Sequence, residues 1–265
     1  MIDKKTVILN SIIKEYLTNL EPISSKYLQT RLEIKISSAT IRNYLKRLVE
    51  EGRLEQPHIS SGRVPSIDTL KEYWKKRIDT NKKIIIDRKE LINRYAKKYK
   101  IFCEYRFFKS NRLKDVINYK DRFLILEFEK SEFILKYSKK FEIFFSEFLG
   151  VESSDLIKVC KSIGLTNLSK KIDAIEEKDI VIEELEEFLN IVSKNREWGN
   201  SYIKYFLDGV ALEELKDGLY FSKIVPNGYL AYKNRVKIKE KDAKLLFIGA
   251  LNRDYDGFMK NLTRG

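Results

Sequence analysis

Arg42, Asn43, Lys46 and Arg47 stand close together in the run Ser38–Arg47 (SATIRNYLKR). At about 100° per residue, Ala39, Thr40, Arg42, Asn43, Lys46 and Arg47 share one arc of a helix, opposite Ile41, Leu45, Leu48 and Val49. Small residues at the amino end of such a helix, Ser38 among them, let it approach base edges closely. A guanidinium and a carboxamide are the side chains that pair with guanine and adenine, while Lys46 and Arg47 suit phosphates. The same arc also fits the polar surface of an ordinary core helix. Downstream, Gly52–Gln56 reads as a short strand, Pro57–Gly62 as a turn and Arg63–Pro65 as a returning strand. A hairpin directly after a recognition helix is a wing. Its Arg53, His58, Ser60, Ser61 and Arg63 suit sugar-phosphate contact, with a positive φ expected at Gly62. His58 is alternatively a core histidine or a proton switch; among serines in a polar turn, hydrogen bonding to phosphate or backbone is favoured.

These residues need elements to hold them. Val7, Ile8, Ile12, Ile13, Tyr16 and Leu17 predict an amphipathic helix over Lys4–Asn19. Pro22 closes the connection, Ser24 or Ser25 caps a second helix to about Leu32, and Ser37-Ser38 caps the third, Ala39–Glu51. Ser66 or Asp68 caps a fourth through Leu70, Tyr73, Trp74 and Ile78. Two short helices joined by a tight turn after a longer one predict a helix-turn-helix.

Composition narrows the function. The 265 residues carry a net charge of +13 with 34% charged residues, which points to a polyanionic partner. Residues 81–150 hold 18 basic against 10 acidic residues, whereas residues 151–195 hold 6 against 10. The acidic run Ile175–Phe188 is either a solvated helix face or an insertion with its own packing partner. Apolar runs such as Phe123–Leu126 and Leu245–Ile248 are strand-sized, so no membrane span is expected. The start, without a signal-peptide core, predicts a cytoplasmic protein. Cys103 and Cys160 lie 57 positions apart and His58 is the single histidine, so neither a disulfide scaffold, a metal site nor a histidine triad is expected. With no glycine-rich phosphate loop and no HExxH run, the reading is of a non-enzyme without cofactor.

The segment Ser37–Ser66, SSATIRNYLKRLVEEGRLEQPHISSGRVPS, resembles the winged-helix region of the heat-inducible transcription repressor HrcA family. The resemblance rests on Ser38–Asn43, on the Glu-x-Gly-x-Leu step Glu50–Leu54 and on Pro57–Pro65, where Ile59 replaces the usual threonine. Pro22–Ser25 is similar to a Pro-Val-Gly-Ser segment, and Ile248–Tyr255 loosely to Ile-Gly-Pro-Thr-Arg-Met-Asp-Tyr. The resemblance implies a dimeric repressor that binds CIRCE, an inverted-repeat operator ahead of chaperone genes, with the GroE chaperonin supporting its active form. It also implies a winged helix-turn-helix joined to a GAF-like domain that holds an inserted dimerising segment. A ligand-sensing regulator and a basic RNA-binding protein are the alternatives.

Beyond residue 78 the pattern predicts a basic linker helix over 79–100, with Ile85, Leu91, Ile92 and Tyr95 as its buried stripe. Strands follow at Asp115–Asn118, Phe123–Phe128, Phe133–Tyr137 and Phe141–Phe145. Helices are expected at Leu156–Ile163, in the acidic region and at Tyr202–Leu215. Strands return at Phe221–Val225, Tyr229–Val236 and Leu245–Ala250, with Asn227-Gly228 as a hairpin turn. The expected class is α+β. Residues 1–78 form the winged helix-turn-helix, 101–164 with 215–265 the GAF-like domain, and 165–214 the dimerising insertion, led by Ile180, Leu185, Phe188, Leu189 and Ile191.

Overall fold

Serine hydroxyls cap three helices of the amino-terminal region. In the computed structural model, which describes residues 4–32, 34–58, 61–108, 111–174 and 180–263, α1 (Lys4–Asn19) is followed by α2 (Ser25–Arg31) and α3 (Ser38–Glu50). Ser24 and Ser37 each accept a hydrogen bond at 3.1 Å, from the backbone N–H of Tyr27 and Thr40, and so satisfy one open donor of the helix behind them. Ile8, Ile12, Leu28, Ile41, Leu45, Leu48 and Leu54 meet in one buried cluster. Strands β1 (Leu54–Glu55) and β2 (Val64–Pro65) pair as an antiparallel hairpin. Ser66 then caps α4 (Ile67–Arg77) through the N–H of Thr69. These limits lie within about two residues of those the sequence predicts.

Residues 79–100 do not form one helix. Ile84–Ile86 is a strand, β3, paired in parallel with Val236–Ile238, and only α5 (Glu90–Tyr99) is helical. Ile85 is consequently exposed, while Leu91 and Ile92 are buried. Strand β4 (Phe102–Phe107) follows.

Residues 107–179 form a compact unit of their own, and residues 1–106 with 180–265 form the other. In the smaller unit β5 (Leu113–Tyr119), β6 (Phe123–Phe128) and β7 (Glu132–Lys136) make an antiparallel sheet, followed by α6 (Lys139–Ser146), α7 (Ser153–Ser162) and α8 (Thr166–Ala174). Leu124, Leu126 and Phe128 pack with Phe145, Leu156 and Ile172 beneath it. The strand expected at Phe141–Phe145 is helix α6: Phe141, Phe144, Phe145 and Phe148 lie at helical spacing and touch ring to ring.

In the larger unit β8 (Val181–Glu183) precedes α9 (Leu185–Lys194), α10 (Arg196–Leu207) and α11 (Val210–Glu214). Then come β9 (Gly218–Tyr220), β10 (Tyr229–Ile238), β11 (Lys241–Ala250) and α12 (Tyr255–Leu262). The sheet order is β3-β10-β11-β4-β8, with β9 also on β10. Phe221–Val225 is irregular, and the strand lies just before it. The tight hairpin turn is Lys239-Glu240, with φ 48° and 65°, between the paired Ile238 and Lys241, rather than Asn227-Gly228. Residues 185–214 are not a separate insertion. Phe188 and Ile191, expected at a dimer surface, are buried against Phe102, Phe206, Leu212 and Leu246. Ile175–Asp179 of the acidic run lies outside the described residues. Among the described residues, no helix is long and apolar enough to cross a membrane.

One carboxyl in this core has no partner. Glu104, in β4, is fully buried and neither oxygen has a hydrogen-bond partner. Burial, with a smaller contribution from Glu213, pushes its pKa up to about 8 from the ordinary 4.5. The folded state therefore holds a proton that the unfolded chain releases above about pH 4.5. This contribution to stability is complete below that pH and is lost as the pH rises toward about 8, by up to about 1.4 kcal/mol per unit. Glu104→Gln is expected to be more stable than the parent at pH 8, with the difference shrinking toward pH 5. Paired urea titrations across that range check this, and a constant difference would contradict it.

Candidate nucleic-acid interface

Helix α3 turns Ile41, Leu45 and Leu48 into the core, so its other side must face solvent. Ala39, Thr40, Arg42, Asn43, Lys46 and Arg47 are all exposed, and Ser38 is half-buried. The hydroxyl of Thr40 lies 2.9 Å from that of Ser37 and belongs to the cap. Lys46 is 3.9 Å from Glu50 across one helical turn, an exposed pair too weak to hold the ammonium back from another anion.

The hairpin is fixed by backbone. The N–H of Ile23 donates to the carbonyl of Arg63 and the N–H of Arg63 to that of Ile23, both at 2.9 Å. The segment ahead of α2 thereby pairs with the returning strand. Gly62 has no positive φ, contrary to expectation. It is needed because a Cβ there would lie 2.5 Å from the carbonyl carbon of Ile23 and 2.6 Å from that of Pro22. The Ser61 hydroxyl accepts from the His58 N–H at 3.0 Å and donates to the His58 carbonyl at 2.7 Å, so it shapes the turn. His58 is exposed. Ser60 lies outside the described residues. The Arg53 guanidinium pairs with Glu72 of α4 at 2.8 Å, so a phosphate would compete with that carboxylate for it.

Arg42 and Arg63 come together at a cleft of about 360 Å³ that Ser24, Ser25, Gln56 and Ser61 also line. One Arg63 Nη donates to the Ser61 carbonyl at 3.0 Å, while its Nε is buried without a partner. Two guanidinium groups on a polar cleft beside an exposed basic helix face make a site for an anion with extended neighbours. His58 does not line this cleft. Ser24, Ser25 and Gln56 were legible only as a cap and a strand end, since no local pattern tells that Pro22–Ser25 folds against the hairpin.

Helix α4 carries this region. Thr69 Oγ1 donates to the Arg53 carbonyl at 2.8 Å, next to the hairpin. One turn on, Trp74 is fully buried and its Nε1–H donates to the Leu251 carbonyl at 2.8 Å, while Arg77 pairs with Asp256 at 2.6 Å.

Residues 74–265 match the family model described as HrcA C-terminal domain. A heat-inducible transcription repressor HrcA from Helicobacter pylori is 32% identical over 264 residues, 99% of this chain and 95% of that one. The chain belongs to the HrcA family. A second H. pylori HrcA is 29% identical over 263 residues, 99% of this chain and 96% of its own. HrcA of Pediococcus pentosaceus is 46% identical over 71 residues, 27% of this chain and 20% of its own. A crystal structure of a hypothetical protein shares the fold, with a TM-score of 0.54 at 17% identity, covering 99% of this chain and 96% of that one.

The HrcA-like signature Ile248–Tyr255 now has a physical reading. It ends β11, presents the Leu251 carbonyl to Trp74, and starts α12 with Asp254, whose side chain accepts from the Gly257 N–H at 2.9 Å. A Cβ on Gly249 would lie 2.6 Å from the Tyr255 hydroxyl, so the tyrosine seats only over glycine.

Gly62→Ala is expected to lower stability by about 1–3 kcal/mol, because backbone atoms of Pro22 and Ile23 must move. Urea unfolding followed by circular dichroism measures it. A variant as stable as the parent would remove the close approach as the reason for glycine.

Proposed function

We propose that this chain is a sequence-specific, DNA-binding repressor of heat-shock genes, acting in the cytoplasm as a dimer on an inverted-repeat operator of the CIRCE type. The observation that carries the reading is the exposed arc of α3 beside the cleft where Arg42 and Arg63 converge, in a chain whose relatives are named heat-inducible transcription repressors. Residues 1–78 act as a winged helix-turn-helix, with α2 and α3 as its helices and β1–β2 as its wing. Arg42 and Asn43 read base edges from the major groove, helped by the close approach that Ser38, Ala39 and Thr40 allow. Lys46, Arg47, His58 and Arg63 hold phosphates, as do the hydroxyls of Ser60 and Ser61. The remainder is the GAF-like domain of the resemblance, and GroE is carried over from the same resemblance as a partner.

An inverted repeat calls for a two-fold protein. The dimer surface we assign is the outer face of β5–β6–β7, rather than residues 165–214. Ile117, Ile125 and Ile134 face one another in register across the three strands. Tyr119, Phe123 and Lys136 form the next row, and on the other side Asp115, Glu127 and Glu132 form an acidic one. Ile134 is 58% exposed and Tyr119 51%, so a row of large apolar side chains meets water. A second copy packed antiparallel on this face covers the isoleucines and sets the acidic row against Lys136. Heating that separates the copies releases the operator, since one half-site supplies only part of the binding energy.

Arg42→Ala is expected to reduce the preference for operator over random duplex by about 1–3 kcal/mol, whereas Lys46→Ala weakens both duplexes alike. Gel-shift titrations on operator, random duplex and RNA, with and without heating and chaperonin, test the reading. Equal affinity for all three nucleic acids would overturn it.

A further inference from the structure

We propose that the exposed face of β3 and α5 is a second DNA surface, holding backbone phosphates of the duplex that flanks the half-site under α3. The proposal rests on the operator reading above and extends it to residues outside the winged helix. Eight basic residues between Lys82 and Lys100 are exposed against two acidic ones, Asp87 and Glu90, and none of the eight forms an ion pair among the described residues. Helix stability does not account for them. Lys89 occupies the N-cap of α5 without a side-chain hydrogen bond, and Arg88 precedes it. Both cations thus stand at the positive end of the helix dipole, where an anion is favoured. Arg94, Lys97 and Lys98 follow at spacings of three and four, close enough to repel one another along the exposed side. Only the last-turn lysines are explained by the negative end of the dipole. The turn at Lys239 adds another exposed ammonium beside β3, where its N–H donates to the Ile86 carbonyl at 3.0 Å.

Glu90, in the first turn of α5, interacts with Arg88, Lys89 and Lys239 but offsets only part of this charge, and a surface that keeps such an excess of like charge is stabilised by a polyanion. The aromatic rings point to duplex rather than single strands. Tyr95 and Tyr99 are half-buried, and the Arg94 and Lys98 cations lie over them at 5.8 and 5.2 Å, which leaves no open ring on which bases stack. The face therefore offers charge along a backbone and no base reading. It belongs to the same compact unit as α3.

The test uses the full chain and two duplexes, one ending at the operator and one with flanks of about 15 base pairs on each side, long enough to pass beyond the repeat by more than one helical turn. Salt titrations compare the parent with Arg94→Gln/Lys97→Gln/Lys98→Gln. The parent is expected to bind the flanked duplex more tightly and with a steeper salt slope. The triple variant should match the parent on the short duplex. On the flanked one it should lose at least about tenfold in affinity and between about two and three units of slope, near 0.9 per phosphate contact. Its thermal melt should stay close to the parent's, with only the small loss of dipole stabilisation at Lys97 and Lys98, and Lys82→Gln/Lys83→Gln, outside any helix, should reduce the flank gain in the same direction. No gain from flanks in the parent, or an equal loss on both duplexes, overturns the proposal. So does loss of binding to phosphatidylglycerol vesicles with flanked-duplex binding unchanged, which would make the partner a lipid surface. If the operator reading itself fails, the parent will bind operator and random cores alike while the flank gain and its loss in the variant persist.

Discussion

The hydrogen bond from the Trp74 indole to the Leu251 carbonyl is the contact on which the larger unit's arrangement depends. Trp74 is fully buried and edge-on to both Tyr73 and Tyr255, with ring centroids at 4.9 and 5.1 Å. A buried indole N–H left without an acceptor costs about 1–3 kcal/mol, so the end of β11 has to present its carbonyl at that point. That fixes one end of α4 on the sheet. The other end carries Ser66 and Thr69, which hold the Arg53 carbonyl beside the hairpin. A single helix of 11 residues therefore sets where α3 and its basic arc stand relative to the sheet.

The sheet is built to give α4 a firm seat. Strands β10 and β11 pair along ten residues each, and Phe247 stacks between Tyr232 and Tyr255 at centroid distances of 4.9 and 5.8 Å. Against that packing, Glu104 is an exception: a buried acid on β4, the strand next to β11, near the half-buried pairs that Glu213 makes with Arg106 and Lys244. An unpartnered carboxyl in a core strand costs the folded state stability that a paired or apolar side chain would not.

Local signals were legible in the sequence and nonlocal ones were not. Serine caps and helical spacing gave α1 to α4 to within about two residues, and the same wheel gave the exposed arc of α3. Ile84–Ile86 reads as helix by its neighbours, because only the distant Val236–Ile238 makes it a strand. Phe141–Phe145 misleads in the opposite sense, since phenylalanine favours strands while its spacing here suits a helix. Asn227-Gly228 has the composition of a hairpin turn, yet the tight turn uses Lys239 and Glu240, whose strands force positive φ on residues that seldom adopt it. At the candidate site, Arg42 and Arg63 were both legible as basic residues, but their convergence depends on Pro22–Ile23 closing over Gly62.

The central claim is that two copies place two α3 helices on an inverted repeat. Hydroxyl-radical footprinting of the operator duplex, joined to sedimentation of the same complex, tests it most directly. The account predicts two chains per duplex and two protected half-sites related by the two-fold axis, their centres about one helical turn, or a whole number of turns, apart. A single chain per duplex, or protection spread evenly along any sequence, would contradict it.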